Sequence, residues 1–311
     1  MVVDAQTVAE VISGYGSLCG DGGCGIVRRE VVAVTGPDAG RYLQGQLSQD
    51  VVAMSDESAW SFLLAPTGKV VAWLRVHRIA ADDYLLEVDD GFGATVRARL
   101  ERFLLRTDAS ISEPRPAVLI QRRWDASLVR LGVDGPDGSL VAAPVGPGVS
   151  GVDVLVADAS PADLPMSEPL VRGEALERYR IAHGIVGMGT ELDEDTIPGE
   201  SGQWVVDASV SFTKGCYTGQ ELVARIDSRG NNVPHPIRLL VLDSDAEVGD
   251  VVLVDGVEVG ALTSVAPGMG DGLPALALAR VGRSVVPGMS VGVGDRSALT
   301  SGRVVEPGSV R

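Results

Sequence analysis

Short apolar segments separated by turn-forming residues fill the first third of the chain, and they restrict it to a fold that mixes helices with a sheet. Apolar residues spaced three or four apart predict helices, and compact Val- and Leu-rich runs bounded by Gly, Pro or Asp predict strands. The predicted helices cover 38–47 and 94–105, and the predicted strands cover 31–35, 59–65, 69–79, 84–88 and 108–112. Because this order is typical of a ferredoxin-like module, we predict the α+β fold class.

The last quarter of the chain has a different pattern. Residues 231–236 contain two prolines within three positions, which is typical of a linker. Beyond them, valine-rich strands are predicted at 237–243, 251–254, 257–264, 275–281, 291–293 and 303–305. Strands at this spacing are typical of a small antiparallel barrel or sandwich. We therefore divide the chain into a core over 1–234, with an internal boundary near 115–125, and a β-domain over 235–311.

The middle of the chain is rich in Val, Gly and Pro and carries fewer structural signals. Strands are predicted at 117–121, 128–131 and 152–156, and a helix at 173–184. The acidic run 191–195 is predicted to be a solvated loop, because clustered carboxylates usually stay in water. Residues 20–25 match the G-x-G-x-x-G pattern of dinucleotide sites, but a strand follows instead of a helix, so we expect no such site.

Composition and charge exclude several classes of protein. The net charge of −16 opposes generic binding to nucleic acids or anionic membranes, which need a basic surface. The cysteines Cys19, Cys24 and Cys216 form neither a disulfide framework nor a metal-ligand pattern, so we expect free thiols, no metal site and a reducing compartment. We recognise no membrane-spanning run and no signal peptide, and we expect a monomeric cytoplasmic protein.

One stretch, Lys214-Gly215-Cys216-Tyr217-Thr218-Gly219-Gln220-Glu221, joins a glycine-bracketed loop to the start of a helix. Glycines accept backbone angles that other residues resist, and they let a ligand approach the main chain closely. Leu222, Val223 and Ile226 follow at helical spacing, with Gly230 as a stop. A cysteine just before a helix N-terminus lies in a positive field that favours its thiolate. The residues alone indicate either a functional thiol or an ordinary turn with an inert cysteine.

The use of lysine favours a specific task for this stretch. Of the 26 basic residues in the chain, only Lys69 and Lys214 are lysines. A composition biased so strongly toward arginine keeps lysine where a compact ammonium is needed instead of a planar guanidinium. Lys214 opens the stretch, and Lys69 follows the turn Pro66-Thr67-Gly68.

The same stretch, followed by Ala224-Arg225, resembles the signature of the YgfZ-type folate-binding proteins. These are relatives of the glycine-cleavage T-protein (aminomethyltransferase) that act in iron–sulfur protein maturation. Residues 43–51 resemble the first-helix segment of that family, and 259–264 with 276–280 resemble its C-terminal barrel. The resemblance implies a T-protein-like folate-binding core with a C-terminal antiparallel β-barrel. It also implies tetrahydrofolate or a derivative as the cofactor, and iron–sulfur client or assembly proteins as partners.

The resemblance carries site roles onto this sequence. Glu200, in a Pro-x-Glu context, would accept hydrogen bonds from the pterin ring, and Arg225 would hold the glutamate tail of the folate. Both residue types suit these tasks, because a carboxylate accepts parallel N–H bonds and a guanidinium binds a carboxylate bidentately. Asp50 would line the pocket, although a solvated position after a helix explains it equally well. The other matched residues are assigned to folate contact (Gln220, Lys69) or to the functional thiol site (Cys216, Lys214, Tyr217).

The hairpin departs from the pattern of the transferases. Aminomethyltransferases carry a Gly-Gly-x-x-Asp-Asp-like element there, whereas this chain has Gly68-Lys69-Val70-Val71-Ala72-Trp73, without a carboxylate. Loss of a general base typically costs about 10²–10⁴-fold in rate. We therefore favour a folate-binding accessory factor for the assembly or repair of iron–sulfur clusters, with Cys216 as the key thiol. A folate-dependent one-carbon transferase or demethylase, and a folate-binding scaffold without chemistry, remain as alternatives, so whether the protein is an enzyme stays open.

Overall fold

Two β-systems organise the chain in the computed structural model, which describes residues 5–20, 22–54, 58–125, 138–163, 170–171, 173–230, 232–270, 272–295 and 298–310. The first is an 8-stranded sheet. Its strands are β1 (Gly23–Thr35), β2 (Ser58–Leu64), β3 (Val70–Ala80), β4 (Asp83–Asp89), β5 (Ser110–Ile111), β6 (Arg115–Arg123), β7 (Leu140–Ala142) and β8 (Gly151–Ala157). They lie in the order β2-β3-β4-β1-β6-β8-β7, and β5 pairs with β1.

The second β-system is a closed antiparallel barrel. Its strands are β9 (Ile237–Leu242), β10 (Val251–Val254), β11 (Val257–Ala266), β12 (Ala275–Val281), β13 (Ser290–Asp295) and β14 (Ala298–Val305). They close in the order β10-β11-β12-β9-β14-β13, because β13 also pairs with β10. Closure leaves no strand edge open for pairing with another chain.

The helices cover both faces of the large sheet. Those of the described residues are α1 (Ala5–Cys19), α2 (Ala39–Gln46), α3 (Gly93–Glu101), α4 (Gly173–Ala182), α5 (Gln203–Ser209) and α6 (Gln220–Asp227). One core joins α2 and α3 to alternate β3 residues such as Leu74 and Val76. A second core joins α1 and α4 to Phe62, Trp73 and the barrel residue Leu278. The barrel therefore packs against the second face of the sheet.

That second face changes from apolar to charged along β3. Trp73, Arg75 and His77 alternate with the apolar residues of the first core, and each of the three is at most 3% exposed. Arg75 lies opposite Trp60 of β2 and opposite Glu87 of β4 in the strand register. Side chains directly opposite one another on antiparallel strands are in contact distance. The register thus assembles a buried polar patch beside the tryptophans.

The predicted elements are largely confirmed. The hairpin β2–β3, helices α2 and α4 and the six barrel strands lie within a few residues of their predicted positions. The predicted strand at 108–112 shortens to β5, and the predicted strand at 128–131 lies outside the described residues. The expected internal boundary near 115–125 coincides with β6, which pairs with β1 and β8, and the division into domains stays a prediction. Across the described part of the chain, no helix is long and apolar enough to cross a membrane.

Helix α1 is an element that the sequence did not indicate. Its glycines, Gly14 and Gly16, lower the helical propensity of the segment. Gly14 has a packing reason, because a Cβ there would lie 2.7 Å from Cγ1 of Val171 and 3.3 Å from Cβ of Ala175. A residue that weakens the local helix thus permits the close approach of α1 to α4.

The prediction that 191–195 is a solvated loop is wrong at Glu191, which is fully buried. Its carboxylate accepts hydrogen bonds from Arg180 Nη1 at 2.9 Å, from Ser264 Oγ at 2.6 Å and from the Gly187 N–H at 3.0 Å. Burial raises the pKa of Glu191, but Arg180 and these hydrogen bonds outweigh it and hold the pKa below its usual value. Arg180 and Ser264 come from α4 and β11, so the local charge pattern could not reveal these two partners.

Candidate functional site

Lys214 lies at the C-terminal end of α2. Its Nζ donates hydrogen bonds to the carbonyl oxygens of Gln44 at 2.8 Å, Leu47 at 2.8 Å and Gln49 at 2.7 Å. The last carbonyls of a helix lack partners within it, and an ammonium offers three donors in a compact tripod. Burial lowers the pKa of Lys214 to about 8, and nearby Asp50 opposes that shift. Lys214 therefore anchors the motif to the end of α2.

The rest of the motif folds over the same helix end. The Thr218 N–H donates to the Gly45 carbonyl at 3.0 Å, and the Tyr217 N–H donates to Gln220 Oε1 at 3.1 Å. The Tyr217 side chain is 9% exposed, and burial raises its pKa to about 12. Cys216, in contrast, is exposed. The loop thus presents the Cys216 thiol to solvent while its neighbours anchor it.

The two glycines Gly68 and Gly219 fix the hairpin turn against the start of α6. Gly219 has φ +86°, and a Cβ there would lie 2.6 Å from the Ala65 carbonyl oxygen. Gly68 has φ +84°, and a Cβ there would lie 2.5 Å from Cβ of Leu222. Both positions combine a left-handed backbone with close packing, which only glycine accepts without strain.

Asp50 lines a groove of about 800 Å³, here called the outer groove. Its other lining residues include Gln49, Trp60, Arg75 and Val145. Asp50 Oδ1 accepts hydrogen bonds from the Ala53 N–H at 3.0 Å and from Gln44 Nε2 at 2.9 Å. The Ala53 N–H lowers the pKa of Asp50, burial opposes it, and the Gln44 bond lowers it further. Asp50 therefore places a negative charge in the groove. It directly follows Gln49, whose carbonyl oxygen accepts a hydrogen bond from Lys214.

An inner cavity of about 370 Å³ adjoins the outer groove, and Trp60 and Val145 line both. The ring centroids of Trp60 and Trp73 lie 4.2 Å apart with 26° between their planes. Trp204 meets Trp73 edge-on at 6.2 Å, and Trp73 Nε1 donates to Ser209 Oγ at 2.9 Å. Rigid indoles offer flat apolar surfaces on which another ring system stacks favourably.

A buried ion-pair network forms the wall between the cavities. Arg75 donates to Glu87 Oε2 at 2.8 Å and to Asp153 Oδ2 at 2.9 Å. Arg29 donates to Glu87 Oε1 at 2.9 Å, and Arg123 donates to Asp153 Oδ1 at 2.7 Å. Burial raises the pKa of Glu87, but Arg75 and Arg29 outweigh it and hold the pKa well below its usual range. The guanidinium groups thus keep Glu87 ionised.

A serine–histidine–carboxylate hydrogen-bond chain extends this network, but its histidine does not have the properties of a catalytic base. His77 Nδ1 lies 2.7 Å from Ser58 Oγ, and His77 Nε2 lies 3.0 Å from Glu87 Oε2. Glu87 assigns the ring proton to Nε2, so Nδ1 accepts from Ser58. Burial lowers the pKa of His77, Glu87 opposes the shift, and Arg75 and Arg29 reinforce it. Because the imidazolium is disfavoured, we interpret the chain as a structural hydrogen-bond network.

The structure separates the predicted site residues into groups. Lys214 and Tyr217 lie in the loop that carries Cys216, where Lys214 binds the end of α2 near Asp50. Gln220 begins α6 and accepts the Tyr217 N–H. Glu200 is 3% exposed, and its carboxylate accepts from the Ile197 N–H at 3.2 Å and the His235 N–H at 3.1 Å.

Burial raises the pKa of Glu200, and the two N–H donors oppose the shift. Lys69 forms an ion pair with Asp195, and Arg225 is exposed on α6. Of the predicted site residues, Asp50 alone is among the described residues that line the inner cavity or the outer groove; Glu200, Lys69, Arg225 and the motif residues 214–220 are not.

The tryptophans and Arg75 were not predicted as site residues from the sequence. The chain has 4 tryptophans, and Trp60, Trp73 and Trp204 form one cluster. Their rarity is a signal of the same kind as that of the lysines. Arg75 could not be found this way, because one arginine among many in an arginine-rich chain carries no signal.

Comparisons with known proteins give sequence relatives and a shared fold, and no protein-family model matches the chain. An "Iron-sulfur cluster assembly factor IBA57 homolog, mitochondrial" of Chaetomium globosum is 29% identical over 271 residues, covering 75% of this chain and 59% of that protein. The "tRNA-modifying protein YgfZ" of Pectobacterium carotovorum is 28% identical over 245 residues, covering 65% of each. The chain spans 53% of the length of the IBA57 homologues of Pyricularia oryzae and Mycosarcoma maydis.

The fold comparison extends over nearly the whole chain. The crystal structure of glycine cleavage system aminomethyltransferase T from Bartonella henselae matches with a TM-score of 0.76 and 17% identity, covering 96% of this chain and 89% of that one. The predicted fold class, an α+β T-protein-like core with a C-terminal antiparallel β-barrel, is thereby confirmed. The resemblance stated from the motif is confirmed too: the chain is a relative of the IBA57 and YgfZ proteins and shares the fold of aminomethyltransferase T.

Proposed function

We propose that this protein is a tetrahydrofolate-binding accessory factor for the assembly or repair of iron–sulfur clusters. The observation that carries the proposal is the tryptophan-lined inner cavity in a chain related to proteins named as iron–sulfur cluster assembly factors. Its volume of about 370 Å³ lies within the range of small-molecule sites, ~300–1,000 Å³. The partners would be iron–sulfur client or assembly proteins.

The residues of the cavity fit the rings of a folate. A pterin and an aminobenzoyl group are flat, and the Trp60–Trp73 stack offers them a rigid apolar surface. Glu177 and the ion pairs of Arg29 and Arg123 supply polar groups at the cavity wall. A reduced folate brings one-carbon or redox chemistry when bound. The side chains of this protein would bind and orient it and exclude water from the rings.

The charge distribution favours binding over group transfer. A transferase needs a free base near the reacting carbon, and Trp73 occupies the hairpin position expected for the carboxylate. The carboxylates among the described lining residues are Asp89, Asp153 and Glu177. Each forms an ion pair with an arginine: Asp89 with Arg29, Asp153 with Arg75 and Arg123, and Glu177 with Arg180. Each of these described carboxylates is therefore already engaged by an arginine, which leaves none of them as a free base.

Calorimetric titration with tetrahydrofolate under anaerobic conditions tests the folate site. Wild type is compared with Trp73→Leu, which removes the central indole, and with Trp124→Leu, a matched loss of the one buried tryptophan outside the cluster. We expect binding by wild type and Trp124→Leu and a loss of about two- to tenfold for Trp73→Leu, the scale of one aromatic stack. A folded wild type that does not bind tetrahydrofolate would contradict the folate part of the proposal.

The role of the thiol needs a separate experiment. Iron–sulfur clusters take about four thiolates, so the single exposed Cys216 would act as a reductant, a shared ligand or a contact to the client. We expect Cys216→Ser to bind tetrahydrofolate normally and to fail in restoring iron–sulfur enzyme activity to a deletion strain. Full complementation by the serine variant would show that the thiol has no such role.

A further inference from the structure

Two buried hydrogen-bond donors in the lining of the outer groove have no acceptor. Nε1 of Trp60 and Nη2 of Arg75 make no hydrogen bond with any described residue. Both side chains belong to the outer groove, and the Arg75 side chain is 1% exposed. The guanidinium carbon lies 5.2 Å from the Trp60 ring centroid, so the two side chains that carry these donors are neighbours. Buried N–H groups without an acceptor are rare in folded proteins, because each costs the free energy of its lost hydration.

The remaining edges of the Arg75 guanidinium are already used. Nε binds Glu87 at 2.8 Å, and Nη1 binds Asp153 at 2.9 Å. Nη1 also has a longer contact of 3.4 Å with the carbonyl oxygen of Ala143. Only the N–H pair of Nη2 is free among the described contacts. Nη2 of Arg75 and Nε1 of Trp60 could each donate to one oxygen of a carboxylate, and hydrogen bonds between charged groups are stronger than bonds to a neutral carbonyl.

The charge of the groove restricts where an anion can bind. Asp50 lines the same groove, and its carboxylate would repel a second one. Arg75 is the one basic residue among the described lining residues, so its unused N–H groups are the place in this groove where an anionic group would find a charged donor. The part of the ligand facing Asp50 has to be neutral or rich in N–H donors. This pattern fits a ligand with rings and a terminal carboxylate better than a phosphate, which carries more charge.

We propose that Trp60 Nε1 and Arg75 Nη2 bind the terminal carboxylate of the folate whose rings occupy the inner cavity, an inference that rests on the proposed function. Trp60 lines both spaces, so a ligand stacked on one part of its indole reaches the outer groove past its edge. The carboxylate would reach the buried donors by displacing the segment around Ala143, which is exposed and holds Arg75 by its weakest contact.

This assignment differs from the one made by family resemblance. Arg225 was expected to hold the tail, but it is exposed on α6 and is not among the described residues that line either space. The two assignments differ in which substitution should weaken binding of the folate tail. Trp60→Phe keeps an aromatic ring in the stack and removes the N–H donor together with part of the stacking surface. Arg225→Ala removes the exposed guanidinium and leaves the groove intact.

The test measures affinity for three probes by calorimetry: tetrahydrofolate, 6-methyltetrahydropterin, which lacks the tail, and p-aminobenzoylglutamate, which lacks the pterin. We expect Trp60→Phe to weaken tetrahydrofolate and p-aminobenzoylglutamate by about ten- to a hundredfold, the scale of one hydrogen bond to a charged group. The tetrahydropterin should lose clearly less affinity, within the few-fold cost of a smaller stacking ring, so the difference between the probes measures the tail contact. Arg225→Ala should bind all three probes as wild type does. Circular dichroism checks that Trp60→Phe is folded.

The outcomes separate the inference from the proposed function. If wild type binds tetrahydrofolate and the tetrahydropterin equally well, the folate site stands and the carboxylate site is wrong. Loss of tail-dependent affinity in Arg225→Ala, with none in Trp60→Phe, would return the tail to Arg225. A wild type that binds p-aminobenzoylglutamate alone, with loss in Trp60→Phe, would keep the carboxylate site and contradict the pterin site. Binding of none of the probes would overturn both.

Discussion

At the scale of single residues, Lys214 shows why a rare residue type is retained. Three carbonyl oxygens at the end of α2 converge on one nitrogen, at distances of 2.7 to 2.8 Å. A planar guanidinium is too large and has the wrong geometry for that site. The residue therefore acts through the fold of the motif, and it holds the loop on which Cys216 is presented.

We expect Lys214→Met to lower the free energy of unfolding by roughly 2–4 kcal/mol, because it leaves three carbonyls without their charged donor. Lys214→Arg should recover only part of the loss. Lys69→Met is the matched control. The Lys69 side chain is 42% exposed and pairs with the Asp195 side chain, which is 76% exposed, so the unfolding midpoint should barely change. Urea titration checks all three. Equal effects of the two methionine variants would contradict the anchoring role of Lys214.

Glu200 also has a structural task at this scale. It ties the Ile197 N–H at the start of a 3₁₀ turn (Pro198–Ser201) to the His235 N–H at the beginning of the barrel. We expect Glu200→Ala to destabilise the fold by about 1–3 kcal/mol, since both donors lose their acceptor. A direct folate contact would add a loss of affinity at temperatures where the variant is fully folded. Urea titration beside calorimetry distinguishes the two, and an unchanged unfolding midpoint would show that the two hydrogen bonds contribute little.

At the scale of elements, the hairpin turn and the N-terminus of α6 act as one unit. A Cβ at Gly219 would collide with the Ala65 carbonyl oxygen, and one at Gly68 would collide with Leu222. The hairpin carries Trp60 and Trp73, and α6 follows the Cys216 loop. The contact therefore sets the position of the thiol loop relative to the tryptophans.

We expect Gly219→Ala and Gly68→Ala each to lower the free energy of unfolding by about 1–3 kcal/mol, from left-handed backbone strain together with the clash. Gly215→Ala is the control within the same motif, because a Cβ there meets nothing within 4 Å. It should be close to neutral. Chemical denaturation of the three variants is the measurement, and a Gly215→Ala variant as unstable as Gly219→Ala would mean that the loop, and not the contact, is sensitive.

At the scale of the whole molecule, the segment around Glu191 fastens the barrel to the core. Glu191 joins Arg180 of α4 to Ser264 of β11, and Arg280 of β12 donates to the Glu191 carbonyl at 2.7 Å. Arg178 of α4 adds hydrogen bonds to the carbonyls of the barrel residues Pro267 at 3.0 Å and Pro274 at 2.6 Å. The acidic run thus stabilises the contact between the two β-systems.

This arrangement makes the assembly sensitive to acid. The folded-state pKa of Glu191 lies below its usual 4.5, so its contribution to stability is present above pH 4.5 and is lost as the pH falls through the folded-state pKa. Glu191→Gln should cost about 2 kcal/mol or more at neutral pH, because Arg180 loses its buried partner. It should also flatten the pH dependence below 4.5. The exposed neighbour Glu194→Gln is the control, and denaturation followed from pH 7 to pH 3 checks both. A Glu191→Gln variant whose stability falls with decreasing pH as steeply as that of wild type would contradict the linkage.

The sequence by itself determined the elements whose signals are local. Valine-rich runs between turn residues specify the barrel strands, because burial of alternate side chains needs only a period of two. The spacing of the motif gave the start of α6, with Gly219 as the residue before it. The rarity of lysine pointed to Lys214. For the strands and for α6 the physical cause lies within a few residues of the pattern that reveals it. For Lys214 the sequence marked only the position, because its partners in α2 are distant in sequence.

The tertiary structure alone decided which side chains meet. Glu191 is buried because Arg180 and Ser264 reach it, and α1 forms although its glycines weaken it, because Gly14 packs against Ala175. Trp60, Arg75 and Glu87 become neighbours through the register of three strands. Burial of charge is favourable only when a partner is supplied, and here the partners are distant in sequence. The two cavities follow from that pairing, so no local pattern could have located them.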